Sequence, residues 1–470
     1  MLREEICFSE GKYMGTIEAF FSAASEALWS DWLLYVLVGT GIFYTVMTGG
    51  IQFKCLKLLW NKGFSLKTGC KAAKDEKKCS SWQALCTALA SCVGSGNIVG
   101  VSTAILAGGP GALFWMWVAA LFGMAMKFGE IVLGLKYQGT DENGSICGGP
   151  MYYIEQGLHW KAGGIFVACM LFIQNAGGTL IQSNTISNVV REAFSGPALL
   201  TGIVLALLMS FVISGGFKRL VFVAQRIVPV MAGFYVAGGI LVLLLHAAEI
   251  PVMFESILEG AFSVKAGTGA LAGITIREAM RYGVARGLYS NEAGEGSAAV
   301  LHASAEVDHP VRQGLYGVIE VFIDTMVICS ATGFTILITG VYQTHDNAAT
   351  LAAAAFQTVL PGMQYVIYVS LLLFASTSLM SQWYFGHVSL TYLKSPKLAR
   401  LYQALFPVLI LIGSLGSTGL VWSIQDCALG LLIIPNIITL WCLAPSVRRM
   451  TKEFFNPENG YLKKGKKRDE

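Results

Sequence analysis

The stretch Ala90-Ser91-Cys92-Val93-Gly94-Ser95-Gly96-Asn97-Ile98-Val99-Gly100 interrupts an otherwise apolar run with glycine and polar residues. Three glycines, two serines and an asparagine make a continuous helix costly there, since each glycine loses roughly 0.5–1 kcal/mol against alanine. Within a bilayer, non-helical backbone is tolerated only where protein buries it or where it lines a cavity. The stretch therefore predicts a helix broken at a site. Unwinding frees N–H groups at the start of the second half-helix, where the dipole is positive, and carbonyls at the end of the first. The N–H groups suit a carboxylate; the carbonyls suit a small cation or an ammonium group. A zwitterionic amino acid with Na⁺ uses both ends, whereas a sugar or an alcohol needs neither.

A second stretch, Gly283-Val284-Ala285-Arg286-Gly287-Leu288-Tyr289-Ser290-Asn291-Glu292-Ala293-Gly294-Glu295-Gly296-Ser297, carries the same glycine punctuation with charges added. Composition puts both stretches in a membrane. Of 470 residues, 54% are hydrophobic and only 13% charged, against about a quarter charged in an average soluble domain. So few charges cannot cover a soluble globule of this size. A net charge of +4 is too small for a nucleic-acid-binding protein. The 53 glycines fit close-packed membrane helices. The 11 cysteines are odd in number and scattered, without CxxC, and the six histidines are dispersed, so neither a disulfide framework nor a metal centre is expected. The first 16 residues do not read as a signal peptide. No HExxH or GxSxG points to an enzyme, and no repeated filter-like loop points to a channel.

Eleven apolar runs read as spans, near 30–50, 82–107, 110–137, 163–190, 197–215, 219–246, 275–304, 313–342, 364–391, 398–417 and 421–446. The loop 51–81 holds eight lysines and the tail 447–470 eight further basic residues. Both belong in the cytoplasm by the positive-inside rule, and the ten spans between them keep the assignment consistent. The N-terminus is then outside and the C-terminus inside the cell membrane. The chain divides into an N-terminal segment with a peripheral helix (1–50), the basic loop (51–81), one five-span repeat (82–246), an extracellular connection (247–274), a second repeat (275–446) and a basic tail (447–470). With 30–50 set aside, each break opens a repeat. Paired Gly-interrupted helices at corresponding positions point to an inverted-repeat transporter. The expected class is an all-α polytopic membrane protein, a monomer in the bilayer with no cofactor.

The segment Pro110-Gly111-Ala112-Leu113-Phe114-Trp115-Met116-Trp117-Val118-Ala119-Ala120-Leu121-Phe122-Gly123 resembles the signature of the alanine-or-glycine:cation symporters, a family of the LeuT-type five-plus-five superfamily. Gly94-Ser95-Gly96-Asn97-Ile98, Gly148-Gly149-Pro150-Met151-Tyr152-Tyr153 and Ser290-Asn291-Glu292-Ala293-Gly294 support it. The resemblance runs from about residue 30 to 446. It implies Na⁺-coupled uptake of a small amino acid by alternating access. It places Na⁺ among the carbonyls of Ala90 and Val93 and the hydroxyls of Thr377 and Ser378. It brings the substrate to Gly94, Ser95, Gly96, Asn97, Gln182, Asn291 and Gln382, with Asn97 either touching substrate or bracing the break. Two positions depart from the pattern: Gln382 stands where the family has tryptophan, and Glu295 where an apolar residue is expected. Gln382 favours a larger or polar substrate such as serine or glutamine. Among intramembrane charges, Arg286 and Glu292 flank the second break as an expected gate pair. Lys127 with Glu130 (i, i+3) reads as a local helical pair; Glu320 and Asp324 (i, i+4) share one helix face, where like charges that close are expected to face polar partners or water, a proton relay between them being the lesser alternative.

Overall fold

The computed structural model describes residues 18–60, 78–141, 144–262, 275–416 and 419–462. Most of the basic loop (61–77), part of the connection (263–274) and the end of the tail (463–470) lie outside the described residues. A first helix, α1, covers 18–28. It is followed by α2 (Asp31–Thr48), α3 (Ile51–Trp60), α4 (Ser81–Cys92), α5 (Val99–Gly108) and α6 (Gly111–Lys136). A hairpin of β1 (Gly139–Thr140) and β2 (Ile146–Cys147) leads to α7 (Pro150–Leu158), α8 (Lys161–Phe194), α9 (Ala198–Ser214), α10 (Gly216–Leu245) and α11 (Ile250–Phe262). Then come α12 (Ile276–Asn291), α13 (Ser297–His302) and α14 (Pro310–Val321), which runs through a wider π turn, Phe322–Cys329, into α15 (Ser330–Thr339). The last elements are α16 (Ala348–Val359), α17 (Gln364–Tyr392), α18 (Pro396–Leu415) and α19 (Gly419–Phe455).

Among the described residues, eight helices are long and apolar enough to cross a membrane, or nine when the bent pair α4–α5 counts as one span. Two of the expected spans fall short of that test. Helix α9 has 17 residues, and α12 with α13 carries the charges of the second break. Large apolar side chains stand exposed on α9, α10 and α18, among them Leu207, Phe211, Val230, Leu244 and Ile412, as a lipid-facing surface requires.

Both broken helices start in the same way. The Ser80 hydroxyl accepts from the Gln83 N–H, and the Gln83 side chain accepts from the Ser80 N–H. Thr275 and Glu278 repeat this capping box at α12. Helix α6 lies at the centre, packed against α12, α14 and α2, while α8 packs against α17, α18 and α19. Small residues make the α6–α12 approach possible: a Cβ on Gly283 would sit 2.3 Å from the Ala112 carbonyl oxygen. The aromatic run on α6 serves packing. Phe114 lies edge-on to Phe262, and the Trp117 indole donates to the Ser330 hydroxyl at 2.8 Å.

Candidate functional site

At the first break the chain bends by 64° between α4 and the half-helix after it. In a continuous helix the Gly94 N–H would serve the Ala90 carbonyl. Here it donates to the Asn97 side-chain oxygen at 2.9 Å instead. The Asn97 amide nitrogen donates to Asp324 at 2.6 Å, and the Thr332 hydroxyl donates to the Asn97 carbonyl at 2.7 Å. Asn97 therefore braces the break rather than facing the cavity. The N–H groups of Ser95 and Gly96 have no acceptor among the described residues. On the carbonyl side, the Ser378 hydroxyl lies 3.3 Å from the Ser91 oxygen and 3.5 Å from the Val93 oxygen. Both hydroxyls also bond back to their own helix: Ser378 to the Phe374 carbonyl at 3.1 Å, and Thr377 to the Leu373 and Phe374 carbonyls at 3.1 and 2.9 Å. Of the expected cation ligands, Ser378 and Val93 come together, the Ala90 carbonyl is released from the Gly94 N–H, and the Thr377 hydroxyl is engaged with its own helix.

The second break is sealed. Glu292, Gly294 and Gly296 all adopt positive φ. The N–H groups of Gly294 and Gly296 donate to one oxygen of Glu130 at 3.0 and 3.1 Å, and Asn436 adds a third bond at 2.8 Å. Asn436 also reaches the Gly294 carbonyl, and the Tyr153 hydroxyl bonds Asn436. A protein carboxylate thus occupies the N–H end of the second break, while the N–H end of the first is open.

Two expected pairings are replaced. Glu292 does not pair with Arg286; it accepts from the hydroxyls of Ser91 and Ser297 at 2.7 Å each, which ties one break to the other. Arg286 instead lines a separate pocket with Asp426. Lys127 does not pair with Glu130. Its ammonium reaches Glu320 at 2.7 Å, the Asn291 carbonyl at 2.6 Å and the Cys92 sulfur at 3.2 Å. Glu320 and Asp324 meet polar partners, as like charges at that spacing are expected to. Glu320 continues to His302 at 2.9 Å and on to Gln313, whereas Asp324 holds Asn97, Ser290 and Thr325. Cys92 and Asn291 are the last residues of α4 and α12, so one buried cation stands at the negative ends of both half-helices. Asn291 spends its side chain on the Ala293 N–H and Thr325 and does not line the cavity.

Between the breaks lies a small cavity of about 50 Å³, bounded by Gly94, Gly96, Gln182, Tyr289, Glu295 and Gln382, among others. The amide oxygens of Gln182, Gln382 and Gln425, all lining it, are buried without partners among the described residues. A larger cavity, about 870 Å³, opens beside the start of α4 and reaches Trp383, next to Gln382 on α17, and His387. A third, about 360 Å³, lies on the α5 side, and Gly96 and Tyr289 line both it and the central cavity. Sequence reasoning missed His302, Asn436, Gln425 and Tyr289 as parts of this site. A polar residue alone in an apolar run was the available signal for Asn436.

The sodium:alanine symporter family matches residues 14–468 of the chain. A sodium/alanine symporter of Methanococcus maripaludis is 39% identical over 445 residues, covering 92% of this chain and 96% of that protein. A probable sodium/glutamine symporter of Bacillus subtilis is 34% identical over 442 residues, covering 93% and 91%. Among solved structures, a mutant manganese transporter of Eremococcus coleocola shares the fold, with a TM-score of 0.53, 11% identity, and coverage of 81% of this chain and 90% of that one.

Proposed function

Because the chain belongs to the sodium:alanine symporter family, we propose that it is a sodium-coupled symporter that imports a small neutral amino acid by alternating access. One observation carries this reading. Glu130 fills the N–H end of the second break, whereas the Ser95 and Gly96 N–H groups of the first have no protein acceptor. A substrate carboxylate fits there, and it takes the place in the first break that Glu130 holds in the second. The carbonyls of Ser91 and Val93, close to the Ser378 hydroxyl, are hard oxygen donors of the kind Na⁺ takes. Ala90 supplies a further carbonyl in this reading, and Thr377 joins only after its hydroxyl turns out of its own helix.

The architecture proposed with it has eleven spans, with α9 and the α12–α13 pair added to the nine. Residues 82–246 and 275–446 are the two inverted repeats. Helices α4 and α12 support this by opening the two halves with matching capping boxes and ending in matching breaks. With the basic segments in the cytoplasm, the cavity beside the start of α4 is the inward path and the one on the α5 side the outward path. Arg286 and Asp426 flank the outward path with Tyr289 and Trp422, and are its charged gate residues.

A second reading changes the substrate only. Three unpaired amide oxygens around the central cavity favour a substrate that brings extra donors, such as serine or glutamine. Uptake of labelled alanine in proteoliposomes, competed by unlabelled alanine, glycine, serine and glutamine, separates the two. If Gln382 sets the pocket, Gln382→Trp shifts competition toward alanine and glycine, because the indole fills space and removes an amide. An unchanged profile removes Gln382 from the pocket. For the ion, Ser378→Ala is expected to raise the Na⁺ concentration for half-maximal uptake about tenfold, on the order of one lost ligand worth about 1.5 kcal/mol. An unchanged sodium curve takes Ser378 out of the cation site.

A further inference from the structure

We propose that the groove between α2 and α19 is a binding site for an anionic phospholipid. The groove is a cavity of about 450 Å³ on the outside of the helix bundle, away from the transport path. Its floor is apolar: Phe43 and Met47 come from α2, Trp441 and Pro445 from α19. The ring of Trp441 is fixed. It stacks on Phe43 with centroids 4.4 Å apart and planes 5° from parallel, and its N–H donates to Thr40 at 3.0 Å. Trp441 is nevertheless 48% exposed, so part of a rigid aromatic surface is left for an acyl chain to cover.

The selective part is the other end. Arg448, Arg449 and Lys452 follow Pro445 at helical spacing and line the same groove. Among the described residues none of the three has an ion pair or a side-chain hydrogen bond, and no acidic residue lines the groove. Neighbouring cations are engaged elsewhere: Lys54 bonds the Thr48 carbonyl and lies over Phe455, and Lys136 bonds Ser446. An apolar trough that ends in three unpaired cations has the polarity of one lipid molecule lying along it. Arginine forks clamp phosphate oxygens in pairs. A zwitterionic headgroup carries its own ammonium beside the phosphate, so three cations in one place discriminate in favour of a net negative headgroup. The lipid would join the helix outside the two repeats to the last helix of the second.

The full-length protein in detergent, given phosphatidylglycerol or phosphatidylcholine, tests this by native mass spectrometry alongside thermal unfolding. Wild type is expected to retain phosphatidylglycerol at least about tenfold over phosphatidylcholine, with a raised unfolding midpoint. The variant Arg448→Gln/Arg449→Gln/Lys452→Gln is expected to lose both effects. A control of equal charge loss, Lys161→Gln/Lys394→Gln/Lys397→Gln, is expected to keep them. Trp441→Ala should lower the total lipid retained while leaving the headgroup preference. Retention unchanged in the groove variant, equal loss in the control, or the same midpoint shift with inorganic phosphate alone would each overturn the proposal.

Discussion

Lys127→Met is expected to abolish uptake and to destabilise the protein by about 3–5 kcal/mol, the usual cost of leaving a buried charge without its partner. Methionine keeps the length and most of the volume, so packing is not the cause. What is lost is the ammonium that holds Glu320, the Asn291 carbonyl and Cys92 together, with both charged side chains buried. Two half-helix ends then face each other without a cation, and Glu320 keeps only His302 and the Cys92 thiol. Adding Glu320→Gln removes the orphaned carboxylate, and the double variant should regain most of the stability. Uptake should stay lost, because neither methionine nor glutamine restores the positive charge at the α4 and α12 ends. Thermal unfolding of the purified proteins and uptake in proteoliposomes check the two halves separately. Wild-type stability in the single variant would mean that the cluster does not hold the breaks.

Gly94→Ala carries the second large effect. An added Cβ would lie 2.7 Å from the Ser378 hydroxyl oxygen and 3.3 Å from the Gln182 amide nitrogen. The backbone there has φ −134°, which alanine adopts freely, so the effect is steric and confined to the site. The methyl group pushes Ser378 from the Ser91 and Val93 carbonyls and Gln182 from the cavity together. Uptake should fall on the order of a hundredfold, as a displacement of about 1 Å does to aligned groups, with little change in unfolding. Gly100→Ala is the matched control, since nothing lies within 4 Å of its added Cβ. Equal uptake in the two variants would place the site elsewhere.

The two breaks were legible because glycine and polar residues in mid-span have few explanations inside a bilayer. A helix ends inside each stretch, at Cys92 in the first and at Asn291 in the second. The charge partners were not legible. Spacing along one helix suggested Lys127 with Glu130, yet these side chains reach different helices, and Lys127 is satisfied from α4, α12 and α14 at once. Glu320 and Asp324 seemed to share a face, but the wide turn at Phe322–Cys329 begins between them and changes the helical period. Asn436 looked like one polar residue in a long apolar run. Its role appears only when α19 crosses Glu130 and the Gly294 carbonyl. Local patterns report where a helix breaks; they do not report which distant helix closes the break.

The central claim is coupling of amino-acid import to sodium through the first break. The direct measurement is uptake of labelled alanine, serine and glutamine into proteoliposomes with an inward Na⁺ gradient, compared with choline in place of Na⁺ on both sides. Saturable accumulation of at least one of these amino acids is expected with the gradient, and none with choline. Accumulation of the same amino acid to the same level in choline would contradict it.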